Sequence, residues 1–393
     1  MLSLKVRLRL TYNQELVINT LSNEHRLLYN FLLDKVKSSD KLDFKDINKN
    51  YKLFRSTNNL TINSKSSQNT SISLINNIKS YLTLKKKDKT AKFPYKFKGY
   101  HYFTTFMLDY NKGCGGFKLN NGLLELNLNS SKNKLIIDLP EYTKSINNDN
   151  VKTITFVKEN NDYYLIFVYK EDSIKPKLNK DNFLSIDLGY SRLVTGCSKE
   201  ENITIDNYKQ KKLNNYISEL QSKRDSYKKG SRNYKKINKK FKSKKTKLIN
   251  KQIDFLHKSS KKIVDYCVDN NIGKLVVGDL QVKKVNNKEN NKLSGLSKST
   301  SGLGRFKGFL EYKSKNLNIE FILVNEAWTS KINCLTGTVE FDSKLSNRQF
   351  VYDDLIIDRD VNSCINILIR SGQWLSQDSI KNLLLNKISE LKL

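Results

Sequence analysis

One stretch constrains this chain more than any other: Phe183-Leu-Ser-Ile-Asp-Leu-Gly-Tyr-Ser-Arg-Leu-Val-Thr-Gly196. It reads as a short apolar strand, an acidic residue at its end, a glycine turn and a second strand. Leu184 and Ile186 imply burial on at least one face. Asp187 follows inside the apolar run, where an unpaired carboxylate is costly. Gly189 allows a tight turn, and Leu193 and Val194 resume the apolar pattern. Such a carboxylate either holds a cation or bonds turn amides as a structural Asp. The stretch alone leaves both open.

The charge narrows the partners. With 71 Lys+Arg against 39 Asp+Glu the chain carries +32, a surplus that a polyanion must neutralise and that implies salt-sensitive nucleic-acid binding. An anionic membrane is the weaker alternative, because there is no amphipathic anchor with a Trp/Phe face. No apolar run approaches a membrane span and the N-terminus lacks a signal-peptide core, so an intracellular location is expected, nuclear or cytoplasmic according to the host. The five cysteines (114, 197, 267, 334, 364) form no CxxC pair and suggest a reducing compartment. The three histidines (25, 101, 257) are too scattered in sequence to make a metal-spaced set.

Taken in order, residues 4–12 alternate apolar and basic side chains and read as a strand. Helical spacing follows over 13–37 and again over 70–84, with a poorly periodic Asn/Ser/Lys-rich stretch over 38–69 between them. Lysines 85–87 and 89 lead into Phe93-Pro-Tyr-Lys-Phe-Lys98, whose aromatics interleaved with Lys96 and Lys98 suit phosphate contacts plus stacking, or simply a strand edge with solvated lysines. Short strands at 102–107, 117–119, 123–128, 134–139, 153–157 and 163–169, with Asn121-Gly122 and Asn161-Asp162 as hairpin turns, predict a small antiparallel barrel. Beyond Gly196 come two basic helices, 209–227 and 232–270. From 221 to 262 there are 17 Lys+Arg against two Asp; the charged faces are either merely solvated or a nucleic-acid groove. The one-sidedness favours the groove, with Lys228, Lys229, Arg232, Lys235 and Lys236 as candidate contacts. A buried strand over 274–277 precedes an Asn/Lys/Ser/Gly-rich, lid-like loop at 283–304. A helix at 305–316, a strand at 319–324, a helix opening on Asp358-Arg-Asp360 and a helical tail over 371–393 complete the chain.

Three carboxylates stand at the edges of apolar elements: Asp187 and Glu326 after strands, Asp360 at the start of a helix. Carboxylates gathered from separate elements repel one another unless cations lie between them. Two Mg²⁺ ions sharing such ligands activate water and stabilise a leaving oxygen in phosphodiester cleavage. That chemistry needs no His or Cys nucleophile.

The ordered set Ser-Ile-Asp187-Leu-Gly, Leu-Val-Val-Gly-Asp279-Leu, Leu-Glu311-Tyr-Lys, Glu326-Ala-Trp-Thr-Ser-Lys and Asp358-Arg-Asp360-Val-Asn resembles the RuvC-type nuclease of the TnpB and Fanzor proteins. These are transposon-associated, RNA-guided DNA endonucleases related to type V CRISPR effectors. The resemblance covers residues 180–370. It implies an α/β plus β-barrel architecture: an RNase H-like (RuvC) nuclease domain with an N-terminal wedge β-barrel (1–12 and 85–175) carrying an inserted helical recognition region (13–84). It also implies a guide RNA and target DNA as partners of a monomeric ribonucleoprotein. Asp187, Glu326 and Asp360 are then the catalytic residues and the ligands of Mg²⁺, with Mn²⁺ as a substitute, cutting beside a short target-adjacent motif.

Two departures from the family pattern carry expectations. The second catalytic Glu usually stands where this chain has Gly278; Glu326, before Trp-Thr-Ser, matches the relocated Glu of Fanzor proteins and a subset of TnpB proteins. Asp279 is a fallback ligand whose register points it away from the face of Gly278. The family's zinc cysteines are replaced over 329–357 by Asn333, Thr336, Tyr352 and Leu355, with Cys334 off register, so no structural zinc is expected and apolar packing is expected to hold the loop. Alternatives stay open: a nuclease-inactive RNA-guided DNA-binding repressor, a plain binding module, or an actin-like ATPase or kinase core, to which Ile186-Asp-Leu-Gly189 is also similar but which needs a second glycine-rich loop.

Overall fold

The computed structural model describes every residue except 39–42, 94, 111–115, 129–132, 160–161, 171–174, 190–191, 208–210, 280–301, 340–347, 353, 374 and 393, and the side chains of 211–214. Most of the lid-like loop, Pro94, Cys114 and Asn161 therefore lie outside the described residues. The chain divides into two units, Met1–Ser173 and Ile174–Leu393.

The first unit begins with β1 (Leu2–Leu8) and three helices, α1 (Tyr12–Ser38), α2 (Phe44–Thr57) and α3 (Ser64–Lys87). Six strands follow: β2 (Phe106–Asp109), β3 (Phe117–Asn120), β4 (Leu123–Asn127), β5 (Lys134–Asp138), β6 (Val151–Glu159) and β7 (Asp162–Tyr169). They form two antiparallel sheets, β1-β7-β6-β2 and β3-β4-β5, around one apolar core. No ladder among the described residues joins them into the expected closed barrel. The alternation of β1 is realised: Val6 and Leu8 are buried, while Lys5 pairs with Glu159 at 2.6 Å and Arg7 with Asp162 at 2.6 Å.

Two local expectations are corrected. The stretch read as aperiodic contains α2, started by the Asp43 side chain accepting from Lys45 N and seated by buried Ile47 and Tyr51. The strand placed at 102–107 begins instead at Phe106, because Ser22 of α1 satisfies the backbone of Thr104 in both directions, at 2.7 and 3.0 Å. A segment whose amide and carbonyl are taken by a helix side chain has no need of a ladder there.

The second unit is built on a six-stranded sheet in the order β12 (Glu320–Asn325), β11 (Ile272–Asp279), β8 (Asn179–Asp187), β9 (Arg192–Ser198), β10 (Asn202–Asp206), β15 (Ile388–Glu390). Strands β8, β9 and β10 form an antiparallel meander; β11 pairs parallel to β8, and β12 parallel to β11. Between β10 and β11 run α4 (Lys211–Asp225) and the 38-residue α5 (Arg232–Asp269). Then come α6 (Leu303–Asn316), a hairpin of β13 (Gln349–Tyr352) and β14 (Leu355–Asp358), α7 (Arg359–Arg370) and α8 (Gln377–Leu385). The tail is not wholly helical: β15 pairs parallel to β10 and closes that sheet edge.

Gly189 is required sterically. A Cβ there would lie 2.7 Å from the Arg192 carbonyl oxygen, across the turn that returns β8 to β9.

Candidate active site

Asp187 is the last residue of β8, held in place by α7 crossing that strand. The α7 core face, Val361, Cys364, Ile365 and Leu368, is buried. Its axial position is pinned by Ser185 Oγ donating to the Cys364 carbonyl at 2.6 Å and by Cys364 Sγ to the Thr195 carbonyl at 2.9 Å. The helix starts at the level of Asp187 because Asp358 caps it, accepting from the Asp360 and Val361 amides at 2.9 and 3.3 Å. Asp360, in the first turn, is only 8% exposed. Burial pushes the Asp187 carboxyl up to about 7, the charge of Asp360 adds to this, and Arg359 and Arg348 oppose it.

Glu326 follows β12, two strands from β8. Gly278 pairs with Val324 in the parallel register of β11 and β12, so Glu326 stands two residues further along the face shared with Gly278. A Cβ built on Gly278 would lie 2.6 Å from Glu326 Oε2 and 2.9 Å from Ile367 Cδ1. The glycine therefore makes room for this carboxylate. Burial pushes Glu326 up to about 8, with the charges of Asp187 and Asp279 adding and Lys307 opposing. Asp187 thus feels Asp360 and is felt by Glu326. Asp279, the fallback ligand, is engaged elsewhere by an ion pair with Lys307 of α6. Glu311 lies on the same helix and pairs with Lys315 at 2.8 Å.

Arginines complete the site, and sequence reading missed them. Arg348 Nη1 donates to Asp360 Oδ2 at 2.7 Å; Arg192 Nη1 donates to Asp358 Oδ2 at 2.9 Å and lies 3.6 Å from Asp360 Oδ2. Arg192 stands within the opening motif, opposite the capping Asp358; Arg348 precedes β13 and has no comparable sequence signal.

Whether the three carboxylates suit divalent cations is tested by Glu326. Its Oε2 is fully buried and accepts no hydrogen bond, and a buried carboxylate oxygen without a donor calls for a proton or a cation. All the donors are hard oxygens of the kind Mg²⁺ selects. On both counts the residues fit. Among the described residues, no group of three or more His, Cys, Asp or Glu is gathered as a ready metal set, and Arg348 takes one Asp360 oxygen.

The loop after Glu326, where apolar packing without zinc is expected, is held mainly by amides. Asn366 Nδ2 donates to the Thr329 and Ile332 carbonyls at 2.8 and 2.6 Å, and Asn362 donates to Ile332 O at 2.8 Å while accepting from Cys334 N at 2.9 Å. The expected apolar packing is present in Cys334 and Leu335 but is the smaller part. The four described cysteines are free and buried.

Of the nucleic-acid candidates, Lys228, Lys229, Arg232, Lys235 and Lys236 are all exposed at and after the turn joining α4 to α5. The two helices are zipped by Ile217, Leu220 and Phe241. Lys96 is exposed, but Lys98 is not a free contact: its Nζ lies 4.1 Å from the Tyr29 ring and 5.6 Å from the Tyr102 ring. Burial lowers Lys98 to about 8. No helix among the described residues is long and apolar enough to cross a membrane.

Comparison with known proteins follows the same division. The family described as "Probable transposase" (OrfB_IS605) matches residues 166–284, the span that carries Asp187. The Cas12f1-like TNB domain matches residues 304–367, the span that carries Glu326 and Asp360. A Streptomyces pristinaespiralis protein named "Putative RNA-guided DNA endonuclease" is 29% identical over 218 residues, which are 55% of this chain and 52% of that protein. The chain thus spans about half the length of the curated relative it matches. Among solved structures, a Cas12f1-sgRNA-target DNA complex shares the fold, with a TM-score of 0.62 at 14% identity over 91% of this chain and 83% of that one. With a transposase-type match around the first carboxylate and a Cas12f-type match around the other two, the chain is similar to TnpB-like proteins related to Cas12f.

Proposed function

We propose that this chain is an RNA-guided DNA endonuclease that hydrolyses DNA phosphodiesters next to a short target-adjacent motif, with Mg²⁺ as its cofactor. The observation that carries the reading is Gly278 beside Glu326: β11 has a glycine where the family pattern has its second Glu, and the glutamate that follows the neighbouring β12 occupies the room. The strand order, an antiparallel β8-β9-β10 meander extended by parallel β11 and β12, supports an RNase H-like core. The curated relative and the surplus of +32 support nucleic-acid partners, a guide RNA and a target DNA.

Asp187, Glu326 and Asp360 would hold the metal. When bound, divalent cations supply a nucleophilic water and stabilise the leaving oxygen. The chain's own part is positional. The capped start of α7 fixes Asp360 beside Asp187, the glycine lets Glu326 in, and Arg192 steadies Asp358, the cap itself. The exposed lysines and arginines of the α4–α5 hairpin supply the phosphate contacts.

Cleavage of target DNA with the co-purifying RNA, in Mg²⁺ and in EDTA, tests the reading. Asp187→Ala, Glu326→Ala and Asp360→Ala should each abolish cutting and leave RNA binding intact; a Glu326→Ala protein that cuts normally would refute the assignment. We further propose that the 329–357 region needs no zinc, which metal analysis of the purified protein checks. A nuclease-inactive DNA binder is the second reading, favoured by Arg348 on Asp360. It predicts guided binding without cutting in any divalent metal.

A further inference from the structure

The turn that carries Glu326 also displays a strained aromatic. Trp328 has φ 72°, in the left-handed region that bulky L-residues avoid. The neighbours enforce it. Thr329 donates to the Glu326 carbonyl from its amide at 3.1 Å and its hydroxyl at 2.9 Å, and the Lys331 and Ile332 amides donate to the Trp328 carbonyl at 2.9 and 3.1 Å. Arg370 Nη1 donates to the Asn325 and Ala327 carbonyls at 3.0 and 2.5 Å. The turn so fixed leaves the indole 56% exposed, with Lys331 Nζ 5.3 Å from the ring centroid.

Folding does not explain this residue. Asn or Gly would adopt φ 72° without strain, and an indole left mostly in water adds little to the core. What strain and exposure together provide is a rigid aromatic face two residues from a candidate catalytic carboxylate, with a cation beside it. An aromatic face flanked by a lysine is how proteins hold single-stranded nucleic acid without reading its sequence: a base stacks and the ammonium meets a phosphate.

We propose that Trp328 and Lys331 form a stacking site for one nucleobase of single-stranded DNA, holding the strand beside the carboxylate cluster. The choice of DNA rests on the nuclease reading; the stacking site itself does not.

The test uses the full chain with its co-purified RNA in a Trp374→Phe background, which leaves Trp328 as the one remaining tryptophan of the two. Indole emission is followed while an oligothymidylate of about ten nucleotides, or an abasic strand of the same length, is added. Quenching by the oligothymidylate and not by the abasic strand is expected. In the otherwise native chain, Trp328→Asn, which suits the backbone and removes the ring, should bind the oligothymidylate roughly 5- to 150-fold more weakly. Its melting temperature should be unchanged or higher, and Trp328→Phe should restore most of the binding. Equal quenching by the abasic strand, unchanged affinity in Trp328→Asn, or a lower melting temperature for that variant would overturn the proposal. Base-dependent quenching in a protein that cuts no DNA in any metal would refute the nuclease reading and leave the stacking site standing.

Discussion

Gly278→Ala adds one methyl group and should sharply reduce the proposed nuclease activity. The new Cβ would sit 2.6 Å from Glu326 Oε2 and 2.9 Å from Ile367 Cδ1, against an ordinary van der Waals contact of 3.4–4 Å. About 0.8 Å or more must be recovered, the difference between that contact and the one the new methyl would make with Glu326. Ile367 is fully buried in the α7 core and retreats only by disturbing close packing. Glu326 is half-buried at the start of a turn, so it moves. A displacement of ~1 Å at a reacting group costs ~100-fold in rate, and overpacking that is not relieved costs ~1–3 kcal/mol. Single-turnover cleavage of Gly278→Ala should therefore fall ~10- to 100-fold, with a melting temperature lower by a few degrees. The stability cost should shrink in a Glu326→Ala background, where the closest neighbour is gone, giving a coupling above about 0.5 kcal/mol. An Ile367→Val background, which removes only the Cδ1 neighbour, should leave the rate loss in place. Wild-type cutting by Gly278→Ala, or full rescue by Ile367→Val, would show that the glycine is there for the core and not for the carboxylate.

Three other outcomes are expected. Burial first, then the charges of Lys98 and Arg55, holds His25 down at about 3 against an ordinary 6.5. The unfolded chain binds the extra proton between those values, so stability is full above 6.5 and is lost as pH falls, by up to ~1.4 kcal/mol per pH unit; His25→Gln should flatten that acid limb of a melting curve. Arg348 holds Asp360 Oδ2, where it would compete with the proposed cation, so Arg348→Ala should tighten Mn²⁺ binding about twofold to fivefold, a modest gain for a partly exposed pair, read by electron paramagnetic resonance. Lys235→Glu with Lys236→Glu should weaken guide RNA binding and lower the slope of log affinity against log salt by about 0.7–0.9 for each phosphate no longer neutralised; an unchanged slope would place the RNA elsewhere.

Much of the second unit is legible in the sequence because its signals are local. The apolar run ending at Asp187, the stripes on α5 and the acidic first turn of α7 each lie within one element. Short pieces are not legible: β10 and β15 have five and three residues, and each becomes a strand only because a neighbour offers it a ladder. The helix α2 has a readable signal, Ile47, Tyr51 and Phe54 at helical spacing behind an Asp cap, hidden among Asn and Lys. Lys98 reads as a phosphate contact because its chemistry is that of Lys96. That Tyr29, from α1, covers its ammonium depends on tertiary packing.

Gly278 and Glu326 show why the candidate site is harder to read than the fold. Taken alone, a glycine where a carboxylate belongs looks like loss, and a glutamate after a strand is one acidic residue among 39. The register that sets Gly278 against Val324 is fixed by a parallel ladder between strands far apart in sequence. Only then does the absent Cβ become room for the carboxylate. The two positions are one structural unit: with Glu326 as placed, a Cβ at 278 would press on it, and without Glu326 the room that its carboxylate fills beside the glycine would be empty. A chain of this kind is therefore judged by the pair. A glutamate at 326 behind an alanine or larger residue at 278 should make a poorer nuclease than the glutamate alone suggests.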